Sequence, residues 1–236
     1  MILPKAILFD HDGVLVASEP LHWTAWVRLL AELGLPEDLT GIQSQVGRTS
    51  YQILGALLDL HCPGWVAGSG PGEFNLEALG KLKNDFYLER MNAELEAYPA
   101  VKETLEWLRA AGVKTAVVSN ARARELQAAL TSLGLAPLFD EIISRDQVTE
   151  PKPDPGPYLL AAASLGFEPK DCLVVEDSPP GLEAGLLANI PCAAILTNFQ
   201  ESALAQPVPG RPDLRPVWIG PSFKAFFGWL QQLPKQ

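Results

Sequence analysis

The sequence predicts an α/β fold, a doubly wound parallel sheet interrupted near its start by an all-helical insertion, and three observations carry that prediction. Short apolar, β-branched runs recur along the chain, helical patterns alternate with them from about residue 98 onward, and residues 16–96 hold helical patterns with no strand between them. The runs are "KAILFD", "VKTAVVSN", "FDEIIS", "CLVVED", "CAAILT" and "PVWIG", each ending in polar or small residues. Continuous apolar runs of this length read as strands buried on both faces. Between them "VKETLEWLRAAG" and "ARARELQAALTSLG" are helical patterns closed by Gly112 and Gly134, since glycine just past a periodic stretch stops a helix. Alternating strands and helices imply right-handed crossovers and a parallel sheet. "PSFKAFFGWLQQL" supplies a closing amphipathic helix.

The insertion reads as three helical patterns, "PLHWTAWVRLLAELG", "SYQILGALLDL" and "NLEALGKLKNDFYLERMNAEL". Its Gly/Pro-rich "CPGWVAGSGPGEF" reads as a connector, because no strand leads into it as a phosphate cradle requires. The expected organisation is a Rossmann-like core of residues 1–15 and 97–236, with a helical domain of residues 16–96.

Composition narrows the function. A chain of 236 residues, 47% of them hydrophobic, has enough apolar mass for a well-buried interior. A net charge of -10 argues against nucleic acid and acidic membrane as partners, so an anionic substrate must meet a local positive site. The N-terminal "MILPKAILFD" lacks the pattern of a secretory leader, and no run approaches a membrane span. Cys62, Cys172 and Cys192 are odd in number, far apart and mostly in apolar context, which reads as buried reduced thiols. A monomeric cytoplasmic protein is expected. The tryptophans, among them Trp23, Trp26 and Trp107, read as packing residues, and His61 as a surface residue.

In an open parallel sheet, ligands bind beyond the carboxyl ends of the strands, where strand order reverses. "ILFDHD", "VVSN" and "VVED" end in residues suited to one anionic site. Asp10 and Asp12, two apart in an extended chain, would point the same way, with His11 turned elsewhere, either to pack beside the sheet or to line the entrance facing the inserted helices. Asp177 would join them from another strand. Carboxylates held this close repel, and a hard divalent cation relieves them; oxygen ligands favour Mg²⁺. A carboxylate beside Mg²⁺ can attack phosphorus, and a second can protonate the leaving oxygen. Ser119 offers a hydroxyl and Lys152, between prolines in "EPKPDP", a compact cation for the phosphoryl group. Backbone N–H groups around Asp12 and Gly13 would hold a phosphate oxygen, Gly13 permitting the bend.

Four pieces in order, "DHDGVL", "VVSN", "EPKPDP" and "VVEDSPPGLEAG", resemble the motifs of haloacid dehalogenase superfamily phosphotransferases, in the branch with β-phosphoglucomutase and related sugar-phosphate phosphatases. The resemblance implies that Asp10 is the nucleophile and Asp12 the acid/base, that Ser119 and Lys152 bind phosphate, and that Asp10, Asp177 and the Asp12 carbonyl hold Mg²⁺. Glu176 would contribute to the metal directly or through water. The inserted helices resemble the family's small cap, which closes over the sheet and excludes water. "VGRTS", with Gly47 and Arg48, and "GKLKNDFY", with Lys83 and Asn84, resemble its substrate-contacting parts. Lys83 falls with Leu79 and Phe86 on a partly apolar helical stripe, an odd place for an idle lysine. His22 resembles a residue near the hinge, and Asn120 would face substrate. Two departures stand out: His11 replaces an apolar residue, and Ala17 replaces an aspartate at the hinge.

The expected function is a Mg²⁺-dependent phosphatase of a small phosphorylated metabolite, a sugar phosphate, working through a phospho-Asp10 intermediate. The alternative is a β-phosphoglucomutase-like phosphomutase. A dehalogenase would not need Asp12, and a non-catalytic binding or regulatory protein would be marked by loss of Asp10, Asp12 or Asp177, all of which are present.

Overall fold

A computed structural model of the protein describes residues 1–68 and 73–234. The middle of the "CPGWVAGSGPGEF" connector lies outside the described residues. The chain forms two compact units, Met1–Ala17 with Glu96–Gln236, and Ser18–Leu95.

The first unit is built on six parallel strands: β1 (Ala6–Phe9), β2 (Lys114–Val118), β3 (Glu141–Ile143), β4 (Cys172–Glu176), β5 (Cys192–Ile195) and β6 (Trp218–Gly220). Their spatial order is β3-β2-β1-β4-β5-β6, a doubly wound sheet. The chain works outward from β1 to one edge, then returns to lie on the other side of β1 as β4, so the strand order reverses between β1 and β4. That reversal opens a crevice at the carboxyl ends of these two strands. Phe9 pairs with Val175 of β4, and the Asp10 N–H extends the ladder to the Val175 carbonyl at 2.9 Å. Asp10 therefore stands level with the end of β4.

All four residues of β1 are fully buried, which explains its uninterrupted apolar sequence. Burying each of Ile7, Leu8 and Phe9 contributes about 1.5–3 kcal/mol. On one face of the sheet Leu8, Val118 and Val174 pack with Tyr158, Ala161 and Ala162 and with Leu182 and Leu186 of the covering helices. On the other, Phe9 packs against Phe223 and Phe226 of the closing helix, with ring centroids 5.9 and 6.3 Å away. The helices of this unit are α5 (Val101–Ala110), α6 (Ala123–Ser132), α7 (Gly156–Ser164), α8 (Pro179–Leu187), α9 (Glu201–Leu204) and α10 (Phe223–Leu230). Helix α8 starts with Ser178 accepting a hydrogen bond from the Gly181 N–H, and Pro179 and Pro180 fill positions where no N–H is needed.

The second unit holds α1 (Glu19–Glu32), α2 (Leu39–Gln43), α3 (Ser50–His61) and α4 (Leu76–Glu94). Leu21, Ala25, Trp26, Leu29 and Leu30 of α1 are buried, as are Leu54, Leu57 and Leu58 of α3 and Phe86, Tyr87 and Met91 of α4. Helix α3 opens with a capping box: Thr49 Oγ1 accepts from the Gln52 N–H while Gln52 Oε1 accepts from the Thr49 N–H. His61 is not the surface residue its sequence context suggested: its Nε2 lies 3.1 Å from Asp38 Oδ2, and the two side chains are mostly covered. The same aspartate caps α2 through the Gly41 N–H, and these contacts hold its carboxyl below the usual range.

Both connections between the units run side by side. Val16 bridges Ala97 in antiparallel fashion, and the Ala17 N–H donates to the Glu96 carbonyl at 2.9 Å. Cys62, Cys172 and Cys192 are free thiols, the last two buried. No helix among the described residues is long and apolar enough to cross a membrane.

Candidate active site

Six residues marked by the sequence lie at or beyond the carboxyl ends of β1, β2 and β4, and four of them, Asp10, Lys152, Glu176 and Asp177, cluster there. Asp10 follows β1, Ser119 follows β2, Glu176 ends β4 and Asp177 follows it, while Lys152 and Asp12 arrive on loops. Lys152 is 2% exposed, and its Nζ donates to Asp10 Oδ1 at 2.7 Å, to Glu176 Oε1 at 2.7 Å and to the Val118 carbonyl at 2.8 Å. One ammonium thus ties together the ends of β1, β2 and β4. Its loop is held by Asn120, whose Oδ1 accepts from the Lys152 N–H and whose Nδ2 donates to the Lys152 carbonyl. Asn120 therefore steadies the lysine loop, a role its sequence position did not reveal.

Glu176 is wholly buried and surrounded by donors. Its Oε1 accepts from Lys152 Nζ and from the Tyr158 hydroxyl, both at 2.7 Å. Its Oε2 accepts from the Asp177 and Ser178 N–H groups and from Ser178 Oγ. A Cβ on Gly181 would collide with this carboxylate, so glycine there lets α8 begin directly against it. Tyr158 also places its ring face 4.6 Å from Lys152 Nζ. No sequence pattern singles out Tyr158; it is an ordinary helix residue until the fold brings Glu176 to it.

Asp177, one residue on, belongs to the crevice. It is 1% exposed, and Asn198 Nδ2 donates to its Oδ2 at 2.7 Å. Asn198 is a second residue that sequence reasoning missed. Gly13, at φ +78°, brings its backbone so close that a Cβ would strike both the Asp177 carboxylate and the Asn198 amide.

Strand alternation does not extend beyond Phe9, because β1 ends there and the chain turns. His11 does not point away from Asp12: its buried ring sets Nδ1 3.1 Å from Asp12 Oδ1. The His11 carbonyl accepts from the Leu15 and Val16 N–H groups, and the Gly13 N–H donates to the Val16 carbonyl. The expectation that the Gly13 N–H holds phosphate is therefore corrected: the turn uses it internally. Ser119 is buried, with Oγ accepting from the Ala121 N–H at 3.0 Å.

Burial pushes the Asp10 carboxyl up from 3.8 to about 7; Glu176 and Asp12 add to the rise, and Lys152 opposes it. Lys152, despite burial, is held above its usual range by Asp10 and Glu176. The acidic cluster Asp10, Glu176 and Asp177 brings carboxylate oxygens within 4.8 Å of one another. Carboxylates outnumber the lysine among them, and all donors are hard oxygens, so the site fits a divalent cation such as Mg²⁺.

Among the residues marked in the helical unit, Lys83, His22 and Asn84 form one group. Lys83 is 3% exposed, its Nζ 2.7 Å from His22 Nδ1 and 3.4 Å from Asn84 Oδ1. The ammonium lies 5.1 Å from the Trp26 ring and 5.7 Å from that of Tyr87, on which His22 stacks at 4.1 Å. The apolar stripe thus carries Lys83 inward as its spacing indicated. Gly47 and the exposed Arg48 sit in the turn between α2 and α3.

A family model described as haloacid dehalogenase-like hydrolase matches residues 4–189. The chain is 34% identical over 221 residues to validoxylamine A 7'-phosphate phosphatase of Streptomyces hygroscopicus subsp. limoneus, covering 92% of this chain and 99% of that protein. It is 32% identical over 198 residues to phosphoglycolate phosphatase 1 of Pseudomonas aeruginosa, covering 84% of this chain and 71% of that protein. Among solved structures, a predicted phosphoglycolate phosphatase from Haemophilus somnus 129PT matches with a TM-score of 0.80 at 27% identity, over 97% of this chain and 99% of that one. With the family match spanning most of the sequence and the sheet placing the acidic residues at its point of reversal, the chain belongs to the haloacid dehalogenase-like hydrolases.

Proposed function

We propose that the protein is a Mg²⁺-dependent phosphatase of a small phosphorylated metabolite, a sugar phosphate, and that Asp10 carries the phosphoryl group between two half-reactions. The observation that carries this reading is the Asp10 carboxylate at the sheet's point of reversal, bonded to Lys152 at 2.7 Å and clustered with Asp177. The similarity to phosphatases of phosphorylated small molecules supports the substrate class.

Asp10 and Asp177, with the Asp12 carbonyl, would hold Mg²⁺. When bound, the cation offsets the negative charge of the carboxylates and of the phosphate. Glu176 contributes by holding Lys152 and the start of α8, since its oxygens already accept five hydrogen bonds. In the first half-reaction an Asp10 oxygen forms a bond to phosphorus while the ester P–O bond breaks, and Asp12 gives its proton to the departing sugar oxygen. In the second, Asp12 takes a proton from water, whose oxygen attacks phosphorus and releases phosphate and free Asp10. Lys152 and the Ser119 hydroxyl stabilise charge on the transferring group. Lys83, His22 and Asn84, with Arg48 and Gly47, contribute substrate contacts from the helical unit.

Phosphate release from a panel of sugar phosphates and phosphoglycolate, with Mg²⁺ and after chelation, tests the reading. Wild type is expected to turn over with Mg²⁺ alone, and Asp10→Asn to lose about three orders of magnitude or more in kcat. Equal activity of Asp10→Asn and wild type would refute the nucleophile, and full activity after chelation would refute the metal. Isomerisation of β-glucose 1-phosphate in place of phosphate release would identify a sugar hydroxyl as acceptor and make the protein a phosphomutase.

A further inference from the structure

We propose that Asn198 is a positioning residue for the metal site, fixing the Asp177 carboxylate in the orientation that receives the cation; this rests on the Mg²⁺ reading above. Strand β5 lies beside β4, and the loop that follows it carries Asn198 past the end of β4. There Asn198 Nδ2 donates to Asp177 Oδ2 at 2.7 Å. The amide nitrogen, rather than the amide oxygen, faces the carboxylate because two acceptors at that distance would repel.

A second observation makes this contact more than a chance surface bond. The space above Gly13 is closed by the same two groups, the Asp177 carboxylate and the Asn198 amide. The carboxylate is thus confined on one side by the Gly13 backbone and on another by Asn198. Rotation about the Cβ–Cγ bond of an aspartate is otherwise soft. With Oδ2 held, the direction presented by Oδ1 is set before any ligand arrives.

The choice of an amide matters. Lys152 already serves Asp10 and Glu176 with a full positive charge. A second cation on Asp177 would neutralise the charge that attracts a metal. A neutral donor such as Asn198 orients the carboxylate without itself cancelling its charge. Residues that orient a metal ligand in this way typically change metal affinity by about 10–100-fold when removed.

Titration calorimetry of MgCl₂ into the full chain tests the assignment, using wild type, Asn198→Leu and Asn198→Ala. The two substitutions remove the donor with opposite changes in filled volume, so a shared effect belongs to the donor, and either one that folds decides the matter. Circular dichroism is expected to match wild type, Mg²⁺ affinity to fall about tenfold or more, and kcat at saturating Mg²⁺ to stay within a fewfold of wild type. Wild-type Mg²⁺ affinity in a folded variant would overturn the role of Asn198 and leave the metal reading standing. Absence of Mg²⁺ binding by wild type would overturn both.

Discussion

Replacing Lys152 with methionine removes the one ammonium that bridges three strand ends. The substitution keeps most of the side-chain volume but leaves three acceptors, at 2.7, 2.7 and 2.8 Å in wild type, without their charged donor. Two of them are the carboxylates of Asp10 and Glu176, which then face each other across a buried site. Breaking a buried ion pair by removing one partner destabilises by about 3–5 kcal/mol. The loss is pH-dependent, and its sign follows from Asp10. Its carboxyl sits at about 7 in the folded chain against an ordinary 3.8, so between those values the folded state binds the extra proton. Stability of the metal-free protein therefore falls as pH rises across that window and levels off above it. Lys152 pulls the Asp10 value down, so its removal moves the upper edge of the window higher. The variant is weakened most at pH 9 and less at pH 6, by about 1.4 kcal/mol for each unit of further rise. Urea denaturation of metal-free wild type and variant at both pH values measures this. A second change, Glu176→Gln, is expected to recover part of the loss because it removes one of the two opposed charges. A loss below about 1 kcal/mol at pH 9, or one that does not shrink at pH 6, would refute the account of Lys152 as the electrostatic keystone.

Two further substitutions probe the site and the helical unit. Gly13→Ala strains a backbone at φ +78° and drives a methyl into the Asp177 carboxylate, so it should cost about 1–3 kcal/mol and weaken Mg²⁺ binding in calorimetry; a neutral result would contradict the close packing seen there. Thr49→Ala removes the capping box of α3 and should lower stability by about 1 kcal/mol in urea denaturation, with Mg²⁺ affinity at the sheet unchanged.

Each of the six apolar runs lies on one of the six strands. The requirement that a strand buried on both faces be apolar is written most plainly in β1, β4 and β5, which are buried along their whole length, while the edge strands β3 and β6 are only partly covered. The sequence did not mark α2 and α9, of five and four residues, since helical periodicity needs more than one turn. At the site, Asp10, Ser119, Glu176 and Asp177 were legible because they stand at strand ends, where type and position together carry meaning. Tyr158 and Asn198 were not. Their partners lie 18 and 21 residues away, and only the packing of α7 and the β5 loop joins them. His11 differs for another reason: the two-residue alternation of a strand stops at Phe9, and the turn that follows brings its ring to Asp12. The local pattern around His61 does not reveal its partner, because Asp38 precedes another helix.

The bridge between Val16 and Ala97 has a consequence for how the two units share one chain. To the sheet, everything from Ser18 to Leu95 is a single excursion that leaves and returns at adjacent points. The entropic penalty of closing such an excursion grows only with the logarithm of its length, about 0.6 kcal/mol per doubling. Lengthening, shortening or exchanging the helical unit therefore perturbs the core's stability little, so long as the two strands of the neck remain paired. The helical unit can thus change while the acidic crevice of the other unit is kept intact.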